Sequence, residues 1–179
     1  MKLKATNRQE FVSHLTELKE DRFAKRFVAK CDMMNDWDKC QGIWIDDKLA
    51  GAIVVTISKR NPKVANLQLL HTFYSHRNKG VARALCDWGV QFAIDNFAEY
   101  FRVSAELDAV VFYEKCGFKF VCRQKTAKLS MFRLTSAKVS DNSFEPDAYI
   151  WSQMNRKGKG SCIECYVEYK GVDFFEHTP

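Results

Sequence analysis

The chain has 179 residues, 46% of them hydrophobic, with 28 Lys and Arg against 22 Asp and Glu and a formal net charge of +6. That is enough apolar material for one substantial core, and an ordinary charge content with only three prolines argues against a disordered polymer. No signal-like N-terminal pattern and no apolar run of about 20 residues is present, so secretion and membrane spanning are not expected and the cytoplasm is the default.

Taken in chain order, Lys2–Ala5 reads as a first strand. Thr6 or Asn7 suits the N-cap of a helix bearing Phe11, Leu15 and Leu18, with Gln9 or Glu10 placed to complete a capping box. A second helix follows, its apolar face made by Phe23, Phe27, Val28 and Cys31 and its solvated side by Arg22, Lys25, Arg26 and Lys30. Residues 42–45 and 50–58 read as two strands around an Asp46-Asp47-Lys48 turn. The run Lys59-Arg60-Asn61-Pro62-Lys63 then breaks the chain. Residues 64–73 are short, apolar and aromatic, the pattern of a largely buried strand. From Gly80 onward Val81, Leu85, Trp88 and Phe92 recur at spacings of four, three and four, which predicts a helix to about Phe97.

At that strand-to-helix junction stand Arg77, Asn78, Lys79, Gly80, Val81 and Ala82, expected to form the first helical turn. Such a turn carries main-chain N–H groups without intrahelical partners and the positive end of the helix dipole, both of which favour an anion such as a pyrophosphate. Gly80 and Ala82 are small enough to let ligand oxygens approach the main chain, and Arg77, Lys79, His76 and Arg83 add positive charge. The alternative is an ordinary basic turn with one glycine. Neither a Walker loop nor a full Gly-x-Gly-x-x-Gly is present.

Residues 100–107 read as another strand, followed by a short helix from Asp108, a suitable N-cap, and by Tyr113-Glu114-Lys115-Cys116-Gly117-Phe118, with Gly117 ending the helix. The order strand, Arg-x-x-Gly-x-Ala helix, strand, Ala-x-x-x-Tyr helix and Gly-Phe resembles the GNAT superfamily of acyl-CoA-dependent N-acyltransferases. Arg77, Gly80 and Ala82 match its pyrophosphate motif; Ala109, Phe112, Tyr113, Gly117 and Phe118 match its second motif. The resemblance covers residues 1–135, with residues 118–122 and 129–134 as closing strands. It implies an α/β (α+β) domain whose mostly antiparallel central sheet is flanked by helices and splayed around the phosphate strand.

The resemblance also implies a chemistry. Acetyl-CoA would be the acyl donor, held by Arg77 to Ala82, and main-chain N–H groups around Thr72 and Phe73 would bond the acyl carbonyl and stabilise the oxyanion formed when an amine attacks. Tyr113 matches the family's general acid: with a reference pKa near ~10 it stays protonated at neutral pH and can protonate a thiolate whose conjugate acid lies near ~8.5. The base is open. The phosphate strand has no carboxylate, leaving Glu106 and His71; Glu106 stands where the family often has asparagine, and its alternative role is capping or contacting the cofactor, while His71 also reads as a packed strand residue. Tyr74 replaces a frequent proline.

The seven cysteines are scattered and odd in number, and read as reduced thiols packed as small apolar side chains. Cys162 and Cys165 alternate on a strand-like run, so their thiols point to opposite faces, and no metal site is expected. Residues 136–179 lie beyond the family pattern: a polar connector, then an appended strand or hairpin that covers a sheet edge, narrows the acceptor cleft or pairs two subunits as a homodimer. Basic clusters at residues 59–63 and 156–160 are each a solvated turn when taken singly; with Tyr149 and Trp151 they also fit a nucleic-acid-tracking face. Three functions follow: N-acetylation of an amine on a small molecule or protein, acylation of a nucleobase or tRNA, and a non-catalytic binding module on the same fold.

Overall fold

The structure, a computed structural model, describes residues 1–13, 22–123 and 129–135. It divides into two compact units, Met1–Glu99 and Tyr100–Pro179. The extension from residue 136, and Leu15 and Leu18 of the first predicted helix, lie outside the described residues.

In the first unit β1 (Lys2–Ala5), β2 (Cys40–Ile45), β3 (Lys48–Ile57) and β4 (Val64–Thr72) form consecutive antiparallel neighbours. Asp46 and Asp47 join β2 to β3 with φ of 48° and 57°, the double left-handed turn that suits the twist of a tight hairpin. Helices α1 (Arg8–Ser13) and α2 (Arg22–Met34) carry Phe11, Phe27 and Cys31 into a core shared with Ala52, Val54, Leu69 and Phe73 of the strands. Phe11 and Phe27 stack 4.6 Å apart with their planes 9° from parallel. Each such ring, taken fully out of water, contributes roughly 1.5–3 kcal/mol. Phe23, assigned to the same face by periodicity, is instead 40% exposed; Ala24, one residue on, takes the buried position.

The predicted capping box is present and reciprocal. Asn7 Oδ1 accepts from Glu10 N–H at 2.9 Å, and Glu10 Oε2 accepts from Asn7 N–H at 3.1 Å and from the Thr6 hydroxyl at 3.0 Å. A second tie joins the helices: Asp32 accepts from Trp37 Nε1 at 2.7 Å and from Arg8 Nε at 2.9 Å.

On the other face of β3 and β4 lies α3 (Val81–Asp95), which buries Val81, Leu85, Cys86, Gly89, Val90 and Ala93. Trp88 and Phe92 of the predicted stripe are only half-buried and pack on each other, 5.4 Å between ring centroids. The small Gly89 and Ala93 hold the inner face because they let the helix lie close to the strands.

The second unit pairs β5 (Tyr100–Ala105) with β7 (Leu129–Leu134), and β7 with β6 (Lys119–Arg123), all antiparallel. Between β5 and β6 come a 3-10 turn, Leu107–Ala109, and α4 (Val110–Lys115). Asp108 falls inside that turn and Ala109 is the residue capping α4, so the predicted Asp108 cap is not used.

Replacing Asn7 with Ala should cost about 1 kcal/mol of stability in a urea titration, the usual value of a helix cap. Glu10 is pushed up by burial, but the bonds from Asn7 and Thr6 and the charge of Lys4 outweigh this and hold it below the usual carboxylate range. Asp32 is held low by the bond from Trp37 and by Arg8. A carboxylate with a depressed folded pKa stabilises above its unfolded value near ~4 and loses that contribution as pH falls through the folded pKa. The urea midpoint should therefore fall below pH 4, and fall less in the Asp32→Asn, Glu10→Gln double variant.

Candidate active site

The end of β4 and the start of α3 make one candidate site, within the first unit. Phe73 is 1% exposed and its ring sits among core aromatics, 5.1 Å from Phe11 and 5.0 Å from His71, which anchors the chain where it leaves the strand. Its N–H donates to Ala50 C=O at 3.0 Å. Phe73 N–H is thus already engaged, whereas the pairing of Gly51 with Thr72 lies between ladder bonds and turns the Thr72 N–H to the strand's other edge. Of the two donors that the sequence suggests, Phe73 N–H is the one bonded to β3.

After a 3-10 turn, Tyr74–His76, the chain does not enter the helix at Arg77. Arg77 closes the turn in an extended conformation, Asn78 has φ of 60°, and Gly80 is the N-cap of α3 with φ of 80°. Residues 77–80 are therefore a loop leading into α3, and only Val81 and Ala82 of the motif lie in its first turn. The first helical bond runs from Ala84 N–H to Gly80 C=O at 3.0 Å, so the N–H groups of Val81 and Ala82 precede the intrahelical ladder. A Cβ built on Gly80 meets nothing within 4 Å, so the space beside this glycine is open. Two left-handed residues, an open front and orphan donors together suit an anion.

The charges around this loop are not all equivalent. Arg77 reaches back, its guanidinium 5.3 Å from the Tyr74 ring centroid and its Nε 3.4 Å from Thr72 C=O. Lys79 is exposed and among the described residues has no acidic partner. Arg83 faces Asp87 at 3.1 Å, so its charge is largely answered within the helix.

A residue that sequence reading passed over sets the position of this turn. A Cβ on Gly51 would lie 2.6 Å from His71 C=O, 2.9 Å from Val81 Cγ1 and 3.2 Å from Leu85 Cδ1. The first turn of α3 thus rests on bare backbone of β3. A glycine inside an otherwise apolar strand is the signal that pointed to it.

Another group of predicted residues belongs to the second unit. Tyr113 is 7% exposed on α4, its ring edge-on to Phe112 and Phe118 at 5.1 and 5.5 Å. Gly117, with φ of 84°, lets the helix end in a Schellman arrangement: Phe118 N–H donates to Tyr113 C=O at 3.0 Å and Gly117 N–H to Glu114 C=O at 2.9 Å. The Gly-Phe pair thus fixes the tyrosine from both its backbone and its ring. Glu106 is the residue before the 3-10 turn; its C=O accepts from Ala109 N–H at 3.0 Å, but its carboxylate makes no capping bond. His71 is 6% exposed in the first unit, packed beside Phe11, Phe27 and Phe73.

The sequence model of the acetyltransferase (GNAT) domain matches residues 6–132, a span that contains both residues 72–82 and residues 106–118. The chain belongs to the GNAT acetyltransferase family. Solved structures agree on the fold. Ard1 from Thermoplasma volcanium is 18% identical, with 74% of this chain and 96% of that one covered and a TM-score of 0.57. The PaiA N-acetyltransferase of Thermoplasma acidophilum, solved in complex with coenzyme A, is 13% identical over 74% and 98% at a TM-score of 0.59. An aminoglycoside 6'-acetyltransferase type Ii is 15% identical over 76% and 98% at 0.61. No curated protein sequence is detectably similar to the chain.

For this GNAT chain, among the described residues, no cluster of His, Cys, Asp and Glu is placed to hold a metal ion, and no helix is long and apolar enough to cross a membrane.

Two glycine substitutions separate conformation from contact. Gly80→Ala has space but a left-handed backbone, and should cost about 1–2 kcal/mol. Gly51→Val must displace Val81 and Leu85 or the backbone itself, and should cost more, roughly 2–3 kcal/mol as overpacking. Thermal and urea unfolding of the two variants check the order.

Proposed function

We propose that the protein is an N-acetyltransferase that moves the acetyl group of acetyl-CoA to an amine of a small molecule or protein by direct attack. The observation that carries this reading is the open loop at Gly80, where unfilled space, two left-handed residues and the orphan N–H groups of α3 coincide in a GNAT chain. Arg77, Asn78, Lys79, Gly80, Val81 and Ala82 would hold the donor's pyrophosphate. Acetyl-CoA supplies an acetyl group activated as a thioester.

The remaining roles fall to Thr72, Tyr113 and Glu106. Thr72 N–H would donate to the carbonyl oxygen as it gains charge. As the amine nitrogen bonds to the carbonyl carbon and the carbon–sulfur bond breaks, Tyr113 would pass its proton to the departing thiolate. Glu106 would take the proton that the attacking nitrogen must lose. It is preferred to His71, because His71 is enclosed by three phenylalanine rings and Glu106 is only half-buried. The reading agrees with the names of the PaiA N-acetyltransferase and the aminoglycoside 6'-acetyltransferase, each of which shares the fold.

Calorimetric titration with acetyl-CoA tests the donor. Micromolar binding by the wild type, lost in Gly80→Glu, is expected; no binding by the wild type would overturn the assignment. Tyr113→Phe should lower kcat on an accepted amine by about 100-fold or more while acetyl-CoA binding stays within about twofold. Equal loss of binding and turnover would remove Tyr113 from the role of acid.

A further inference from the structure

The first unit has a second concave feature that the acyl-transfer reading does not use. β3 pairs with β2 only as far as Val54, opposite Cys40, and then runs on to Ile57 with β4 as its neighbour. Beyond the end of β2 this leaves a cleft of about 710 Å³. That is within the roughly 300–1,000 Å³ usual for small-molecule sites. None of residues 72–82 lines it. It lies toward the start of β4, the end of the strand away from the Gly80 loop.

The lining has two characters. Met34 from the end of α2, Ile57 from β3 and Phe92 from α3 give it apolar surface. Phe92 is half-buried and backed by Trp88, so a flat ring face is held in place there. The rest of the lining is polar. Gln68 is the extra residue where β4 bulges, between the pairings Val54 with Leu69 and Val55 with Leu67, and the bulge turns its side chain to donate to Thr56 Oγ1 at 2.9 Å. The half-buried amide of Asn66 has no hydrogen bond among the described residues and offers both donor and acceptor.

The charge of the cleft is uneven. Asp36 and Lys39 answer one another in an ion pair. Lys59 and Arg60 are exposed at the rim and have no acidic partner among the described residues. They do not sit on a loose loop: Asn61 N–H donates to Ser58 Oγ at 3.3 Å, Asn61 Oδ1 accepts from Lys63 N–H at 3.1 Å, and Ser58 N–H donates to Val64 C=O at 2.8 Å. Two unanswered cations are thus held beside a partly apolar cavity.

We infer that this cleft is a second ligand site, separate from the Gly80 loop, for a small organic anion with a flat apolar body: the body on Phe92 and Ile57, the anionic group on Lys59 and Arg60. Opposite charge and a stacking face give such a ligand two kinds of contact that neither an inorganic ion nor a neutral hydrocarbon can make together. The inference stands whether or not acyl transfer takes place.

The probe is 8-anilinonaphthalene-1-sulfonate, an aromatic body with one sulfonate, followed by its fluorescence on the full chain with and without saturating coenzyme A. N-phenyl-1-naphthylamine, the same body without the charge, is the control. The sulfonate should bind at one saturable site, unaffected by coenzyme A, and weaken at least about tenfold in Lys59→Glu, Arg60→Glu, a change confined to exposed side chains. The neutral amine should bind the two proteins within about twofold. Displacement by coenzyme A, unchanged affinity in the double variant, or no saturable binding would each overturn the proposal.

Discussion

Val81 and Leu85 occupy, at the surface of β3, the space that a Cβ on Gly51 would need. This contact between a helix turn and bare strand backbone fixes how closely α3 approaches the strands, and through α3 it fixes the Gly80 loop. Phe73 secures the same loop from its other end, by its ring in the aromatic core and by its N–H on Ala50. Held at both ends, the loop can keep two left-handed residues and an open front without a ligand to support them. Interiors pack too densely to shift by an ångström without cost, so the site inherits its geometry from the core beneath it.

The second unit uses a different device for the same end. Tyr113 is placed at the last full turn of α4, and the chain reversal at Gly117 returns Phe118 against its ring. Arg133 adds to this by donating to Cys116 C=O at 2.5 Å, with its guanidinium 3.5 Å from where a Gly117 side chain would begin. A side chain proposed for proton transfer is therefore held by the backbone bonds of the turn and by a side-chain bond from the neighbouring strand, and not by its own rotamer preference alone.

Much of this was legible in the sequence, and what was not has physical causes. The Asn7 and Glu10 cap, the Asp46-Asp47 turn and the Gly117 terminus are encoded by a few adjacent residues whose side chains or φ preferences act locally, and all three appear. The face of α3 was read too simply, because periodicity weights Trp88 and Phe92 by hydrophobicity, whereas close packing selected Gly89 and Ala93 for their size. The helix was also begun too early, since a basic stretch with one glycine does not say whether that glycine is inside the first turn or caps it. The Gln68 bulge and the occupied Phe73 N–H depend on partners distant in sequence, and no local pattern announces them; Gly51 stands out as a glycine in an apolar strand, but what packs on it does not. The acceptor is the least legible part, as expected where one fold serves many substrates.

The buried cysteines have a practical meaning for how the molecule opens. Cys31 and Cys40 are fully enclosed in the first unit, and the Cys40 thiol is pushed up by its bond with Cys31 and by burial, so it is not a ready nucleophile. Cys86 lies under α3 in the same unit, and Cys116 closes α4 in the second. An alkylating reagent can reach such thiols only when their surroundings separate, so the labelling rate of each is a clock for local unfolding. Because the four are divided between the two units, their rates would show whether the loop and the tyrosine helix come apart together or in turn.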